Sequence, residues 1–460
     1  MVLWTRLGSD PLQAAGLTAT PLRVDWEIAE DAAMSRMAAR GSEMAIPDLA
    51  HSVHVEARGL RPGREYWYRF RAGDAVSAIG RTRTAPAAGE SLAAFRFAFG
   101  SCSQYEQGWF NAYRDMAANE LDLIVHLGDY IYESSWGVKH VRKHTGGIPT
   151  TLAEFRDRYA LYKTDRDLQA AHAAAPWIVI WDDHEVANDY TDDRSPVMQD
   201  RTQFLAVRAA AYRAWYEHMP VPRTALPQGP DALIYGRHRF GDLLDIFALD
   251  GRQYRSHHAC LPGTSANPLV DCPDRSAPER TYLGMKQERW LADEMRRSPA
   301  RWSVIAQPTL MAEADRKVGP EHAYWMDGWD GYAAGRRRLL ETLATQPNRN
   351  SLVVSGDVHA FYAADLRIDP ASRDPAVATE FVGGAITSQG AAPATIANVL
   401  AKNPHLRFGR ADKRGYAVMK MDTKRCDVEF RAVDNEKDAT SATGTLAKFS
   451  VESGMPGVQM

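Results

Sequence analysis

Over the first 86 residues, short runs rich in β-branched and aromatic side chains alternate with turn formers. Val2 to Leu7, Leu22 to Ile28, Ser52 to Ala57 and Tyr66 to Ala72 read as strands. Glu65-Tyr66-Trp67-Tyr68-Arg69-Phe70 alternates polar and aromatic positions, as a strand with one buried face does, and Arg61-Pro62-Gly63 marks a tight turn. The pattern predicts a small β-sandwich over residues 1–86. A small-residue stretch, Thr84 to Glu90, closes it and marks a domain boundary.

Beyond the boundary the apolar runs become continuous: Phe95 to Phe99, Leu123 to Leu127, Trp177 to Trp181, Leu243 to Leu249, Trp302 to Ala306 and Leu352 to Val354. Continuous runs alternating with helical patterns predict an α/β domain over 91–460 whose strands are buried on both faces. Phe204, Val207, Ala211 and Trp215 lie three and four residues apart, so Gln199 to Met219 should be one amphipathic helix stopping before Pro220. Thr379 to Val382, Tyr416 to Met421 and Cys426 to Val433 read as strands of a second sheet packed on the first. After Phe430 the chain reads as loop, short strand and polar tail, with no apolar helix to cap a cleft, which predicts an open site.

Composition narrows the function. The 460 residues are 45% apolar and 25% charged, which excludes disorder, collagen and coiled coil. A net charge of -3 and a pI near 6.5 give no general attraction to nucleic acid or anionic lipid. The apolar runs fall far short of the roughly 20 residues that cross a bilayer. Four cysteines are too few for a disulfide scaffold, though Cys260 and Cys272 share one loop and can pair in an oxidising compartment. Met1 to Leu7 has no basic and apolar export signal.

Four strand ends carry the chemistry. Phe95 to Phe99 runs into Gly100-Ser101-Cys102, and Leu123 to Leu127 into Gly128-Asp129-Tyr130-Ile131-Tyr132-Glu133. Trp177 to Trp181 runs into Asp182-Asp183-His184-Glu185, and Leu352 to Val354 into Ser355-Gly356-Asp357-Val358-His359. Each residue alone has an ordinary reading: a buried thiol, a core tyrosine, a helix-capping aspartate, a packed histidine. Gathered at one edge, the carboxylates would repel and desolvate one another without cations. His126 sits inside its strand and reads as packing, while His257 and His258 read as loop residues.

Gly-Asp, then Asp-His-Glu, then Gly-Asp-Val-His on successive strands resembles the calcineurin-like metallophosphoesterases. Ser-Cys in place of that superfamily's first motif, Asp183 and Asp357 at two of its metal positions, and the stretches GDYIY, WDDHE and LDGRQYRS make the chain similar to the PhoD alkaline phosphatase family over nearly its whole length. The resemblance implies a fibronectin type III-like β-sandwich followed by a metallophosphoesterase α/β/β/α sandwich. It implies one site of Cys102, Asp129, Tyr132 and His359, whose thiolate and phenolate suit Fe(III). A second site would have Asp129 as bridge with Asp183 and Asp357, and oxygen-only ligands favour Ca²⁺, or Mg²⁺ or Mn²⁺, over zinc. The roles of Asp182 and Glu185 stay open.

The reaction implied is hydrolysis of phosphomonoesters, and some phosphodiesters, at alkaline pH, by in-line attack of an oxygen held at the first metal. His184 would contact phosphate or protonate the leaving alkoxide, with Glu185 orienting it. Arg252 would fork onto phosphate oxygens, beside the plainer reading of a surface arginine paired with Asp250. Two alternatives stand: a diesterase or phospholipase D-like enzyme on the same metals, acting on a phospholipid or teichoic acid, and a degenerate binding protein. The complete set of ligand motifs argues against the last. The partners expected are small phosphate esters. The resembling family usually carries a further strand and a twin-arginine export signal upstream, which predicts a longer reading frame and a periplasmic or secreted product, or a cytoplasmic one if Met1 is the true start.

Overall fold

Period-two burial builds the molecule. In the computed structural model, which describes residues 1–8, 18–260, 269–346 and 350–460, alternate residues of each central strand face opposite hydrophobic cores. Phe97 and Phe99, Val125 and Leu127, and Ile178 and Ile180 face an inner core shared with Leu244, Ile246, Val304, Leu352, Val354 and Phe381. Their neighbours Ala98, Ile124 and Val179 face a second core with Phe110, Phe155, Phe204 and Trp215. Phe247, Ile305 and Val353 face a third with Leu291, Leu339 and Leu343. Two sheets therefore pack face to face with helices on both outer sides.

One sheet runs in the order Trp177–Ile180, Leu123–Leu127, Ala94–Gly100, Arg414–Asp422, Arg425–Val433, Thr443–Glu452, Met455–Gln459. The other runs Gly236–Phe240, Leu244–Ala248, Trp302–Thr309, Ser351–Gly356, Ala378–Gly383, Phe361–Leu366, Leu406–Arg410. The first three strands of the former are mutually parallel. So are Leu244–Ala248, Trp302–Thr309, Ser351–Gly356 and Ala378–Gly383. This corrects the expectation that the six apolar strands form one sheet and the C-terminal strands another: the six split three and three, Tyr416 to Met421 and Cys426 to Val433 extend the first sheet, and Thr379 to Val382 joins the second. The tail after Phe430 also differs, since Thr443–Glu452 and Met455–Gln459 continue the first sheet as strands. They are half-exposed at its edge, so their hydrophobic pattern is weak. The predicted long helix is Arg201–His218.

Ahead of these layers, Val2–Arg6 pairs with Ser52–Glu56. A further sheet holds Met37–Ala45, Leu22–Ala29, Glu65–Ala72, Ala75–Val76 and Gly80–Arg83. Leu3, Val24, Ile28, Val53, Val55, Tyr66 and Phe70 fill the space between. The strand Met37–Ala45 escapes the sequence pattern because most of its side chains are exposed. This region docks through backbone carbonyls: the Trp4 indole donates to Glu217 O at 3.1 Å, and Arg81 Nη1 donates to Ala174 O at 2.9 Å. Cys260 and Cys272 are disulfide-bonded with Cα atoms 6.4 Å apart. The Pro- and Gly-containing stretch between them, 261–268, lies outside the described residues. Among the described residues no helix is long and apolar enough to cross a membrane.

Candidate metal centre

The parallel strands of both sheets end at one edge, where loops from the two sheets meet. Cys102 and Asp129 come from one sheet, and so do Asp182, Asp183 and His184. Asp357 and His359 come from the other. Cys102, Asp129, Asp357 and His359 all hold left-handed backbone, with φ of 62°, 55°, 63° and 50°. A non-glycine residue held this way costs on the order of 1–2 kcal/mol, and such strain persists where the surroundings over-determine it. Gly128 explains how closely the loops approach: at φ 108°, a Cβ there would lie 2.6 Å from both Cβ and N of Asp182.

Three groups of ligand atoms share Asp129. Cys102, Asp129 and His359 form one, Asp129, Asp182 and Asp357 another, and Asp129, Asp183 and His184 a third, with the atoms of each group within 4.8 Å of one another. The Tyr132 hydroxyl joins the first group, 2.8 Å from Asp129 Oδ2 and 3.1 Å from His359 Nε2, and accepts from Ser388 Oγ at 2.8 Å. His359 Nδ1 lies 3.0 Å from the Gln389 carbonyl, which can only accept, so the proton sits on Nδ1 and the Nε2 lone pair faces the cluster. The sequence's six candidate ligands are thus brought together. The oxygen group that includes Asp357 contains Asp182, while Asp183 lies beside it with His184, its Oδ2 accepting the Asp189 amide at 2.6 Å.

The side chains alone are frustrated. Asp182 Oδ2, Asp183 Oδ1 and Asp357 Oδ2 are buried with no hydrogen-bond partner among the protein groups. Burial, reinforced by neighbouring carboxylates, pushes the Asp357 carboxyl well up, and burial pushes Asp129 up against the opposing pull of His184. Burial and Asp129 likewise push up the Cys102 thiol and the Tyr132 phenol. A cation reverses each of these penalties, so the donor set fits metal ions: soft and phenolic donors on one side of Asp129, carboxylates on the other.

His184 Nδ1 meets Glu133 Oε2 at 2.6 Å. Burial opposes charge on this ring, but Glu133, Asp183 and Asp129 outweigh it and hold the imidazole well above its ordinary range. Glu133, not Glu185, is therefore the orienting carboxylate, which corrects the expected pairing. Glu185 instead accepts the backbone amides of Asp129 at 3.1 Å, Tyr130 at 2.6 Å and Asp182 at 2.9 Å, tying two strand-end loops together.

Arg252 is fully buried, which excludes the surface reading. Its Nε donates to Asp182 Oδ1 and its Nη1 to Asp327 Oδ1 at 2.9 Å, while Asp250 takes only its backbone amide, at 2.8 Å. Asp327 also accepts from Arg255 Nη1 at 2.9 Å and pairs with His258 Nε2 at 2.7 Å. Sequence reasoning missed Asp327, Ser388 and Trp136, which sit in loops with no flanking pattern, and took His258 for a plain loop residue. Glu133 was within sight, four residues past Asp129. His126 packs against Tyr113 and Trp177, outside the cluster.

A family model described as PhoD-like phosphatase matches residues 97–430, and one described as PhoD-like phosphatase, N-terminal domain, matches residues 1–86. Alkaline phosphatase D of Bacillus subtilis (strain 168) is 40% identical over 470 residues, covering 100% of this chain and 79% of that protein. A solved structure of PhoD superposes with a TM-score of 0.95 at 39% identity, covering 100% of this chain and 88% of that one.

Proposed function

This chain belongs to the PhoD-like phosphatase family, and on that premise we propose that it hydrolyses phosphomonoesters, and some phosphodiesters, at alkaline pH with Fe(III) and Ca²⁺ at the strand ends. The observation that carries this reading is the trio of buried carboxylate oxygens around Asp129 that accept no hydrogen bond. Cys102, Asp129, Tyr132 and His359 would hold the iron. Asp129 and Asp357, with Asp183 or Asp182 completing the set, would hold calcium, or Mg²⁺ or Mn²⁺ in its place. When bound, the cations supply charge neutralisation for phosphoryl oxygens and activation of the attacking oxygen.

The chain's own groups supply the rest. Glu133 takes the Nδ1 proton of His184, so Nε2 is the atom that delivers a proton to the departing alkoxide. Glu185 keeps the loops of Asp129 and Asp182 in register. Arg252 holds Asp182 and Asp327 through Nε and Nη1, and its Nη2, which makes no hydrogen bond, would be the atom that contacts phosphate. Residues 1–86 would be a fibronectin type III-like domain and 91–460 a metallophosphoesterase sandwich. The Cys260–Cys272 disulfide supports an exported protein.

Elemental analysis of the purified protein, paired with hydrolysis of a phosphomonoester and a phosphodiester across pH, tests the reading. Iron and calcium together with monoester turnover are expected. Neither metal bound and neither ester hydrolysed overturns it.

A further inference from the structure

Buried Glu106 sits between the half-buried His140 and His144, a group that the proposed chemistry does not use. Glu106 Oε2 has no hydrogen-bond partner among the protein groups and lies 3.7 Å from His144 Nδ1 and 4.0 Å from His140 Nδ1. Counting protons orders the group. The Tyr162 hydroxyl accepts the backbone amides of Tyr105 at 3.1 Å and Tyr132 at 3.0 Å, which occupies both its lone pairs. Its own proton therefore goes to His144 Nε2, 3.1 Å away. His144 then carries its proton on Nδ1, facing Glu106 Oε2 at 3.7 Å, an electrostatic contact longer than a hydrogen bond. Glu106 Oε1 also accepts the His144 amide at 3.0 Å.

A second arm leads to the other side of the cluster. His140 Nε2 donates to the Trp136 carbonyl at 2.8 Å. The Trp136 indole stacks on the His359 imidazole, with centroids 5.4 Å apart and planes 9° from parallel. Only the first arm starts from Glu106 by a hydrogen bond, that of the His144 amide, and it ends on the iron-side residue Tyr132 through Tyr162.

We propose that Glu106 is a positioning residue that fixes Tyr132 through His144 and Tyr162. Its effect on iron rests on the metal reading above; its effect on the backbone does not. Outer partners of metal ligands typically change metal affinity by about 10-fold to 100-fold when removed.

The test compares Glu106→Ala, Glu106→Gln and Tyr162→Phe with the parent. In metal-free protein, hydrogen exchange over residues 129–136 should accelerate in Glu106→Ala and Tyr162→Phe while the sheet strands keep their protection. Glu106→Gln, which retains an acceptor for the His144 amide, should recover part of the parent behaviour. In iron-loaded protein the same two variants should shift the visible absorption and hold iron roughly 10-fold to 100-fold less tightly. Unchanged exchange over 129–136, or uniform acceleration everywhere, overturns the positioning role. Parent protein that takes up no iron overturns the metal reading instead, and the exchange data still decide the positioning role. Should Glu106→Ala fail to fold, Tyr162→Phe carries the same comparison.

Discussion

A thiol, a phenol, two imidazoles and four carboxylates share a space from which water is largely excluded, and their protonation follows from that crowding. In metal-free protein, burial pushes Asp182 up to about 6 and Glu185 up to about 7, with Asp129 and Asp357 also raised. Unfolded, such groups titrate near 4. These carboxyls therefore bind more protons in the folded state between about pH 4 and 7, and their contribution to stability falls as pH rises through that window. Asp183 and Asp327 are held low despite burial, Arg252 being the main counterweight, and act only below about pH 4. Burial pushes His359 and His126 down to about 3, which adds stability as pH rises toward 6.5. We therefore expect the thermal midpoint of metal-free protein to fall between about pH 6.5 and 8, where His184 and Glu185 keep protons that the unfolded chain has lost, and added calcium to cancel the fall. A midpoint that rises over that window without metal would mean the cluster is not frustrated. Phenolate and thiolate bound to ferric iron should give a visible absorption band, so Tyr132→Phe should shift or abolish it and Cys102→Ser should weaken iron retention about 10-fold or more. Unchanged spectra in both would place these side chains outside the metal shell. The ligand types were legible because each follows directly on an apolar strand. The pairing of His184 with Glu133 was not, since Glu133 stands in another strand-end motif, 51 residues before the histidine, and only the fold brings it to Nδ1.

At the scale of elements, the strands deliver these residues only because their ends tolerate close approach. Gly128 lies between the strand Leu123–Leu127 and Asp129, and a Cβ there would also lie 2.9 Å from the Trp181 carbonyl carbon. Gly128→Ala must push apart the loops that Glu185 ties together. A displacement near 1 Å at reacting groups costs about 100-fold in rate, so kcat should fall by about that factor while far-ultraviolet circular dichroism stays unchanged. Near-parent turnover would show that the loops do not need this contact. Continuous apolar runs identified every strand that reaches the cluster, because those strands are buried on both faces. The edge strands Met37–Ala45, Thr443–Glu452 and Met455–Gln459 carried too little hydrophobic signal to be seen. Which sheet each strand joins was not legible either. Both sheets present the same apolar pattern to the shared core, and only the crossover path separates them.

Across the whole molecule, the loop that follows the strand Leu244–Ala248 joins the cluster to a covalent staple. His258 and Arg255 hold Asp327, Asp327 holds Arg252, and Arg252 holds Asp182. Two residues past His258, Cys260 is bonded to Cys272, and a small apolar group of Ala259, Tyr324 and Met326 packs beside the bond. Tyr324 pairs with Val270 on the segment leading to Cys272, so the staple binds the 255–260 loop to the stretch that carries Asp327. Closing a loop of this length removes roughly 3 kcal/mol of denatured-state entropy. Cys102 and Cys426 are the free thiols, and both are buried. Protein from an oxidising compartment, denatured without reductant and alkylated, should therefore be labelled at Cys102 and Cys426 and at neither Cys260 nor Cys272. Replacing both loop cysteines by serine should lower stability by about 3 kcal/mol and reduce turnover by loosening the support of Asp327, leaving iron retention at Cys102 and Tyr132 unchanged. Loss of iron in that double variant would show that the loop supports the whole cluster and not its carboxylate side alone.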